Sequence, residues 1–218
     1  MKRLDRGASG AVLLSSNTED ENHTTELREK IEKGEKTYVA WCRGTGEYIK
    51  KLCEGEAKEY KGPDGIIYPV TLSSGWFTVS RPIKNVNNNL KPAETSFRYL
   101  LSGPDSFIIE CRPKTGRWHQ IRKHLNGLSC PIIGDGTHGN TKVNRMWRER
   151  GFKAERFGLH LLRMKLPKTE NVPGINVVAD VPEDLKEMWK VHVPGAIEII
   201  EEMYKGQSEE RVSDDVIS

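Results

Sequence analysis

Residues 95–125 read TSFRYLLSGPDSFIIECRPKTGRWHQIRKHL. Two runs rich in β-branched and aromatic residues, 95–101 and 106–113, flank the turn-forming tetrapeptide SGPD, a pattern that predicts an antiparallel hairpin. The last eleven residues, 115–125, are of another kind. Arg117, His119, Arg122, Lys123 and His124 bring guanidinium, ammonium and imidazole groups, while Trp118, Ile121, Leu125 and, just beyond, Leu128 recur at helical spacing. At about 100° per residue those four apolar residues form one stripe, with Arg122 at its border and Arg117 and His124 on the opposite flank. A guanidinium half buried between core and cleft keeps its proton, and leaving it unpaired there is costly. The helix therefore needs a carboxylate brought to it from elsewhere in the chain.

Working outward, a helix over 18–34 (TEDENHTTELREKIEKG) is predicted by Leu27 and Ile31 and by the stop at Gly34, and a strand by EKTYVAWCRG, 35–44. AVLLSS, 11–16, reads as a short apolar strand, residues 45–65 as a long loop or insertion of little periodicity, and 66–80 (IIYPVTLSSGWFTVS) as a hairpin. NVNNNLKPAE, 85–94, reads as an irregular exposed loop, PIIGDGTHGN, 131–140, as a turn-rich strand exit in which Asp135 is a turn residue, and 140–151 as a basic helix. Strands at 157–167 and 175–182 and helices at 182–190 and 195–206 complete the pattern. The fold class is α+β: a mixed, largely antiparallel central sheet with flanking helices. Residues 1–204 form a single domain and 205–218 an acidic, disordered tail.

Composition narrows the chemistry. The four cysteines are scattered with no C-x-x-C pair, so they read as reduced thiols, and the histidines lack metal-ligand spacing, so no metal site is expected. No apolar run is long enough to span a membrane and no signal-peptide core opens the chain, which predicts an intracellular protein. Between Cys111 and Lys168 fourteen Lys or Arg stand against three acids, a distribution suited to a polyanion. Within it, Lys142, Arg145 and Arg148 on the basic helix are the candidates for phosphate contacts. The carboxylate that suits Arg122 best is Asp5, in the Gly-punctuated turn of RLDRGASG.

The ordered set RLDRGASG, KTYVAWCRG, KPAETSFRYL, TGRWHQIRKHLNGLSCPIIGDGTHG and LHLLRMKL resembles the RluA-type pseudouridine synthases, most closely their tRNA-acting TruC branch, over residues 2–167. The resemblance implies a cofactor-free isomerisation of uridine to pseudouridine in RNA, tRNA first and rRNA as the alternative. It makes Asp5 the catalytic aspartate, as nucleophile or as the base that forms a glycal, Arg122 its basic partner, and Tyr38 the aromatic that stacks on the everted uracil. Leu159, followed by His160, matches an LH motif at the base pocket, and Arg3 a motif arginine that holds RNA. Read from the residues themselves, Arg117, His119 and Gln120 fix the turn before the helix and contact backbone groups, and they stand with Leu159 and Arg3 as candidate substrate-binding residues. His119 as a general base is the sharper alternative to that structural role.

Two departures stand out. Family members carry a strand-rich stretch before the RLD motif, and a histidine is usual where Lys2 stands. The resemblance thus implies a catalytic domain lacking its N-terminal strands, with an exposed sheet edge and unburied apolar surface. The same gap leaves the compartment as cytoplasm, or as an organelle or nucleus if a targeting segment precedes Met1. A monomer is expected. The competing reading is a catalytically impaired RNA-binding homologue; a small-molecule glycosidase ranks last for want of a second catalytic carboxylate.

Overall fold

A computed structural model of the chain describes residues 4–14, 21–56, 59–61, 67–153, 156–169 and 174–205. In chain order its elements are β1 (Ser9–Gly10), α1 (Glu21–Lys33), β2 (Glu35–Arg43), α2 (Glu47–Glu54), β3 (Glu59–Lys61), β4 (Ile67–Ser73), β5 (Trp76–Ser80), β6 (Ile83–Lys84), β7 (Leu90–Lys91), β8 (Glu94–Ser102), β9 (Ser106–Pro113), α3 (Gln120–Gly127), α4 (Thr141–Glu149), β10 (Leu159–Leu166), β11 (Ile175–Val178), α5 (Glu183–His192) and α6 (Ala196–Tyr204). One sheet runs β1-β10-β2-β9-β8-β5-β4-β3, with β11 also on β10. Within it β1 pairs β10 in parallel and the other described pairs are antiparallel, so the sheet is mixed and largely antiparallel.

Both faces of the central strands are covered, which is why β2 and β9 read as nearly continuous apolar runs. Side chains alternate across a strand: Ala40 and Cys42 of β2 and Phe107, Ile109 and Cys111 of β9 pack on the face of α2 and α3. Val39, Trp41 and Ile108 point the other way, into a layer with Trp147 of α4 and Leu185, Trp189, Ile197 and Ile200 of α5 and α6. Glu110, on that second face, is fully buried; Arg98 and Arg112 pair with it, and the Tyr204 hydroxyl donates to it at 2.8 Å, fastening α6 to the hairpin.

A bulge in β10 shapes the wall beside Tyr38. The register with β2 slips between Leu161 and Arg163, directly opposite that tyrosine. One extra residue reverses the parity of the strand. Leu161, Met164 and Leu166 consequently share one side, where they close over Leu27 and Ile31 of α1.

Four expectations need correction. The segment at 11–16 is not a strand among its described residues: pairing stops at Gly10, whose φ of 127° brings the backbone so close that a Cβ would lie 2.3 Å from the Leu161 carbonyl. Residues 45–65 include a helix, α2, whose Ile49 and Leu52 are buried against the sheet; its eight residues are too short to stand out against the Gly- and Lys-rich flanks. The loop at 85–94 is pinned by the small β6–β7 pair. Finally, the helix at 115–125 starts only at Gln120, because His119 takes a left-handed φ of 54°. Trp118 therefore leaves the apolar stripe and is 48% exposed, stacked on His119 and covered by the Lys123 ammonium at 4.3 Å. Ile121, Leu125 and Leu128 keep their places in the core.

The outer edge of β10 is paired rather than open among the described residues, by β1 at His160 and Leu161 and by β11 from Arg163 to Leu166. Apolar side-chain surface does remain beside it: Val12 and Leu14 are 65% and 79% exposed. The predicted acidic tail lies outside the described residues apart from Lys205.

Trp147 is fully buried and meets Trp41 edge-on at 4.7 Å, so truncation leaves a large hole in the layer of α4 to α6. Trp147→Ala should cost about 3–5 kcal/mol. Urea unfolding followed by circular dichroism would show this as a lowered midpoint with a little-changed slope.

Candidate active site

Asp5 is presented by a tight turn: the Ala8 amide donates to its carbonyl at 2.9 Å, and Gly7, at φ 93°, then passes its own carbonyl to the Phe157 amide at 3.2 Å. The carboxylate is held at the wall of a cavity of about 370 Å³ that opens between this turn, β2, the start of β10 and the residues leading into α3. That volume suits a nucleoside-sized ligand. Leu4, Ala8, Tyr38, Ile121, Leu159 and Leu161 give it apolar walls, and Asp5, Arg117, His119, Gln120 and Arg122 its polar ones.

Arg122 is 4% exposed. Its Nε and Nη2 donate to the two carboxylate oxygens of Asp135 at 2.8 and 2.7 Å, and its Nη1 donates to Asp5 Oδ2 at 3.2 Å. The ring of Phe157 lies under the guanidinium at 4.5 Å. A buried fork of five N–H donors is not satisfied by one carboxylate, so the cation holds two. Asp135 is correspondingly more than a turn residue. It is fully buried, accepts the Thr137 and His138 amides at 2.9 and 3.0 Å, and its carbonyl is held by Asn144 Nδ2 at 2.8 Å. Asn144 in turn accepts the Gly134 amide at 3.0 Å, bolting α4 to this turn. Gly134 is required there: at φ 85° its α-carbon stands so close to the chain that a Cβ would meet the Arg156 carbonyl at 2.5 Å. Burial alone would raise the Asp135 carboxyl, but the Arg122 hydrogen bonds and charge, with the two amides, outweigh it and hold the group below its ordinary value.

Tyr38 stands on β2 opposite Cys111 and Leu161. Burial, with added repulsion from the Asp5 charge and from Cys111, pushes its phenol up to about 12, so at neutral pH it is a donor and not a base. His119 lies with Nε2 4.0 Å from Asp5 Oδ2 and Nδ1 3.0 Å from His138 Nε2. Burial and the neighbouring Arg122 charge lower the His119 value against the pull of Asp5. Burial likewise takes His138 down to about 4, with Arg122, His119 and Lys123 adding to it and Asp135 opposing. Gln120 is structural: it accepts from Thr115 Oγ1 and the Arg117 amide and donates to the Glu94 carbonyl and Thr95 Oγ1, all within 3.0 Å.

The fold thus gathers Asp5, Tyr38, Arg117, His119, Gln120, Arg122 and Leu159 around one cavity. Lys142, Arg145 and Arg148 do not join them; they are exposed on α4, which packs against the opposite face of the sheet, and Arg145 is 3.7 Å from Glu149. Arg3 lies outside the described residues. His160 is fully buried between Ser9 Oγ and the Ala179 carbonyl, so it braces β1 and β11 against β10. The sequence pattern assigns Asp135 only a turn role and no site role to His138 or Asn144. The donor count of a buried arginine was the available signal for the first; for the others there was none.

Known proteins similar to this chain share one family description. A sequence model described as RNA pseudouridylate synthase matches residues 1–127. The chain is 31% identical over 204 residues to tRNA pseudouridine synthase C of Vibrio cholerae, covering 87% of this chain and 73% of that protein. It is 33% identical over 184 residues to the enzyme of the same name from Vibrio vulnificus, covering 83% and 71%. Ribosomal large subunit pseudouridine synthase C of Escherichia coli K12 is 29% identical over 186 residues, 84% of this chain and 53% of that one. Among solved structures, human RNA pseudouridylate synthase domain containing 4 superposes with a TM-score of 0.50 at 22% identity, covering 78% of this chain and 67% of that one, and shares the fold.

Because the Asp135 carboxyl titrates lower in the folded chain than its ordinary 3.8, it contributes stability that is complete above that value and lost as pH falls through the folded value. Asp135→Asn should remove up to about 3–5 kcal/mol at neutral pH by leaving a buried cation half paired. The gap between the urea midpoints of the wild type and the variant should hold constant at pH values well above 3.8 and begin to narrow only as the pH falls below it.

Proposed function

Because this chain belongs to the RNA pseudouridylate synthase family, we propose that it isomerises a uridine of a tRNA to pseudouridine, with Asp5 as the residue that acts at the sugar. The observation that carries this reading is the Asp5 carboxylate, aimed into the cavity by a guanidinium that Asp135 has already locked in place. Isomerisation breaks the bond between ribose C1′ and uracil N1, turns the base and rejoins it through C5. A carboxylate facing an electron-poor anomeric carbon is suited to that work as nucleophile or as base, and the pairing with Arg122 orients it.

Tyr38 and Leu159 supply the apolar receptor for a base taken out of its stack, and the phenol of Tyr38, protonated at neutral pH, can donate to a uracil oxygen. Arg117 beside the cavity and the exposed Lys142, Arg145 and Arg148 of α4 are cations for phosphates of an RNA that wraps the molecule. We place the target in tRNA because the two Vibrio relatives named for tRNA have higher identity and are covered over more of their length than the Escherichia coli K12 relative named for ribosomal RNA. The reaction as written needs no cofactor, and residues 1–204 act as one catalytic domain.

Carbodiimide treatment and primer extension of tRNA and rRNA from cells lacking the gene, complemented with the chain or its variants, test this. The wild type should restore a stop in a tRNA. Asp5→Ala should lower conversion by at least about 10²–10⁴-fold, the scale of a lost catalytic proton-transfer group or worse. A stop restored only in rRNA moves the substrate; tRNA binding with no stop anywhere means the chain binds RNA without modifying it. Tyr38→Ala should weaken RNA binding by about 1–3 kcal/mol through lost stacking, and Tyr38→Phe should retain that binding.

A further inference from the structure

Trp41, Trp147 and Trp189 are fully buried, whereas Trp118 is 48% exposed. It stands on a saddle between two hollows. Its neighbours Arg117 and His119 line the catalytic cavity, and Lys123, whose ammonium covers it, lines a second, more open groove of about 590 Å³. Arg81, Lys84 and Lys123 bring three cations to that groove, and no Asp or Glu among the described residues lines it. The indole is built into its place. His119 takes a φ of 54°, a conformation that an L residue keeps only where its surroundings impose it, and this turns Trp118 out of the apolar stripe. The imidazole then lies against the indole, with ring centroids 3.9 Å apart and planes 26° from parallel, and its Nδ1 is pinned 3.0 Å from His138 Nε2.

The Lys123 ammonium stands 4.3 Å over the centre of the indole and also donates to the Lys84 carbonyl at 2.7 Å. Two groups so near the ring centre cannot share one face, so His119 fills one side and Lys123 the other. Neither the ring nor the carbonyl is an anion. Burial and the charge of Arg122 accordingly pull the Lys123 value below that of an ordinary lysine. An ammonium on a flexible four-carbon stem gives way to a better partner. A nucleic-acid base stacks on an aromatic ring more strongly than an exposed ammonium does, and the displaced cation then has a phosphate to pair with.

We propose that Trp118 is the stacking platform for a base next to the everted uridine, and that the groove beside it carries that strand's phosphates away from the cavity. The inference rests on the synthase reading and deepens it. Eversion takes from a neighbouring base the partner on which it was stacked, and an indole at the mouth of the cavity replaces that partner. The spacing is right. His119 Nε2 is 4.0 Å from Asp5 Oδ2 and its ring touches the indole, so Trp118 stands about one nucleotide step from the carboxylate that acts at the sugar. Lys84 and Lys123 lie beyond it, where the next phosphates of the strand would fall. A base lifted onto an indole cannot stay paired in a duplex, so the substrate is a uridine in an unpaired stretch of RNA.

The test uses the full chain and the transcript in which the wild type forms pseudouridine, with affinity taken from single-turnover rates against enzyme concentration. Two further RNAs carry an abasic nucleotide immediately before or immediately after the target, so that sugar and phosphate stay and the base is gone. Trp118→Ala should weaken affinity for the intact RNA by about 5–150-fold, the scale of one lost stack, and Trp118→Tyr should restore most of it. On one of the two abasic RNAs the alanine variant and the wild type should bind nearly alike. Lys84→Gln should weaken all three RNAs alike and reduce the slope of log affinity against log salt by about 1. Unchanged affinity in Trp118→Ala hands the indole to some other occupant and overturns the platform. Equal weakening on all three RNAs, which a merely structural role would give, overturns it too, and an unchanged salt slope in Lys84→Gln overturns the phosphate path. The synthase reading stands in each of these cases, whereas a wild-type chain that converts no uridine in any transcript overturns both.

Discussion

A guanidinium that cannot lose its proton sits almost wholly out of water between two carboxylates, and the arrangement of the cavity follows from how those two share it. Asp135 takes two of the Arg122 donors in a planar fork and is itself fully buried. It therefore cancels the cost of the buried cation whether or not anything else is bound. Asp5 takes one remaining donor at a longer distance and stays 27% exposed. One acid anchors the cation, and the other borrows its field at the wall of the cavity.

That division depends on the turn carrying Asp135. Two amides hold its carboxylate, Asn144 holds its carbonyl, and Asn144 belongs to a helix that packs on the far side of the sheet. The orientation of a carboxylate near the amino end is thus tied through Arg122, Asp135 and Asn144 to the layer built around Trp41 and Trp147. The sheet separates tasks: one face buries the large aromatic core, and the other, where the β10 bulge turns three apolar side chains the same way, leaves room for a ligand beside Tyr38.

Much of this could be read from residue patterns. The hairpin of β8 and β9, the strand carrying Tyr38, α1 with its stop at Gly34 and the helices near the carboxyl end have periods and punctuation of their own. The need of Arg122 for an acid follows from its place beside Ile121 and Leu125, and Asp5 meets part of it at 3.2 Å. Trp118 misled because helical spacing assumes helical dihedrals, whereas His119 interrupts them. The helix at 47–54 was missed because eight residues carry too few apolar positions to establish a period.

The amino-acid sequence by itself determined the class of fold, the family and the chemical types at the site, since these depend on local periodicity and on ordered motifs. Only the tertiary structure decided that Asp135 shares Arg122 with Asp5, that His138 backs His119, and that the cations of α4 stand apart from the cavity. Those facts are distances between segments far apart in the chain, set by how the sheet twists and how α3 and the turn before α4 dock on it. No spacing along a sequence encodes such a distance until packing has chosen one arrangement.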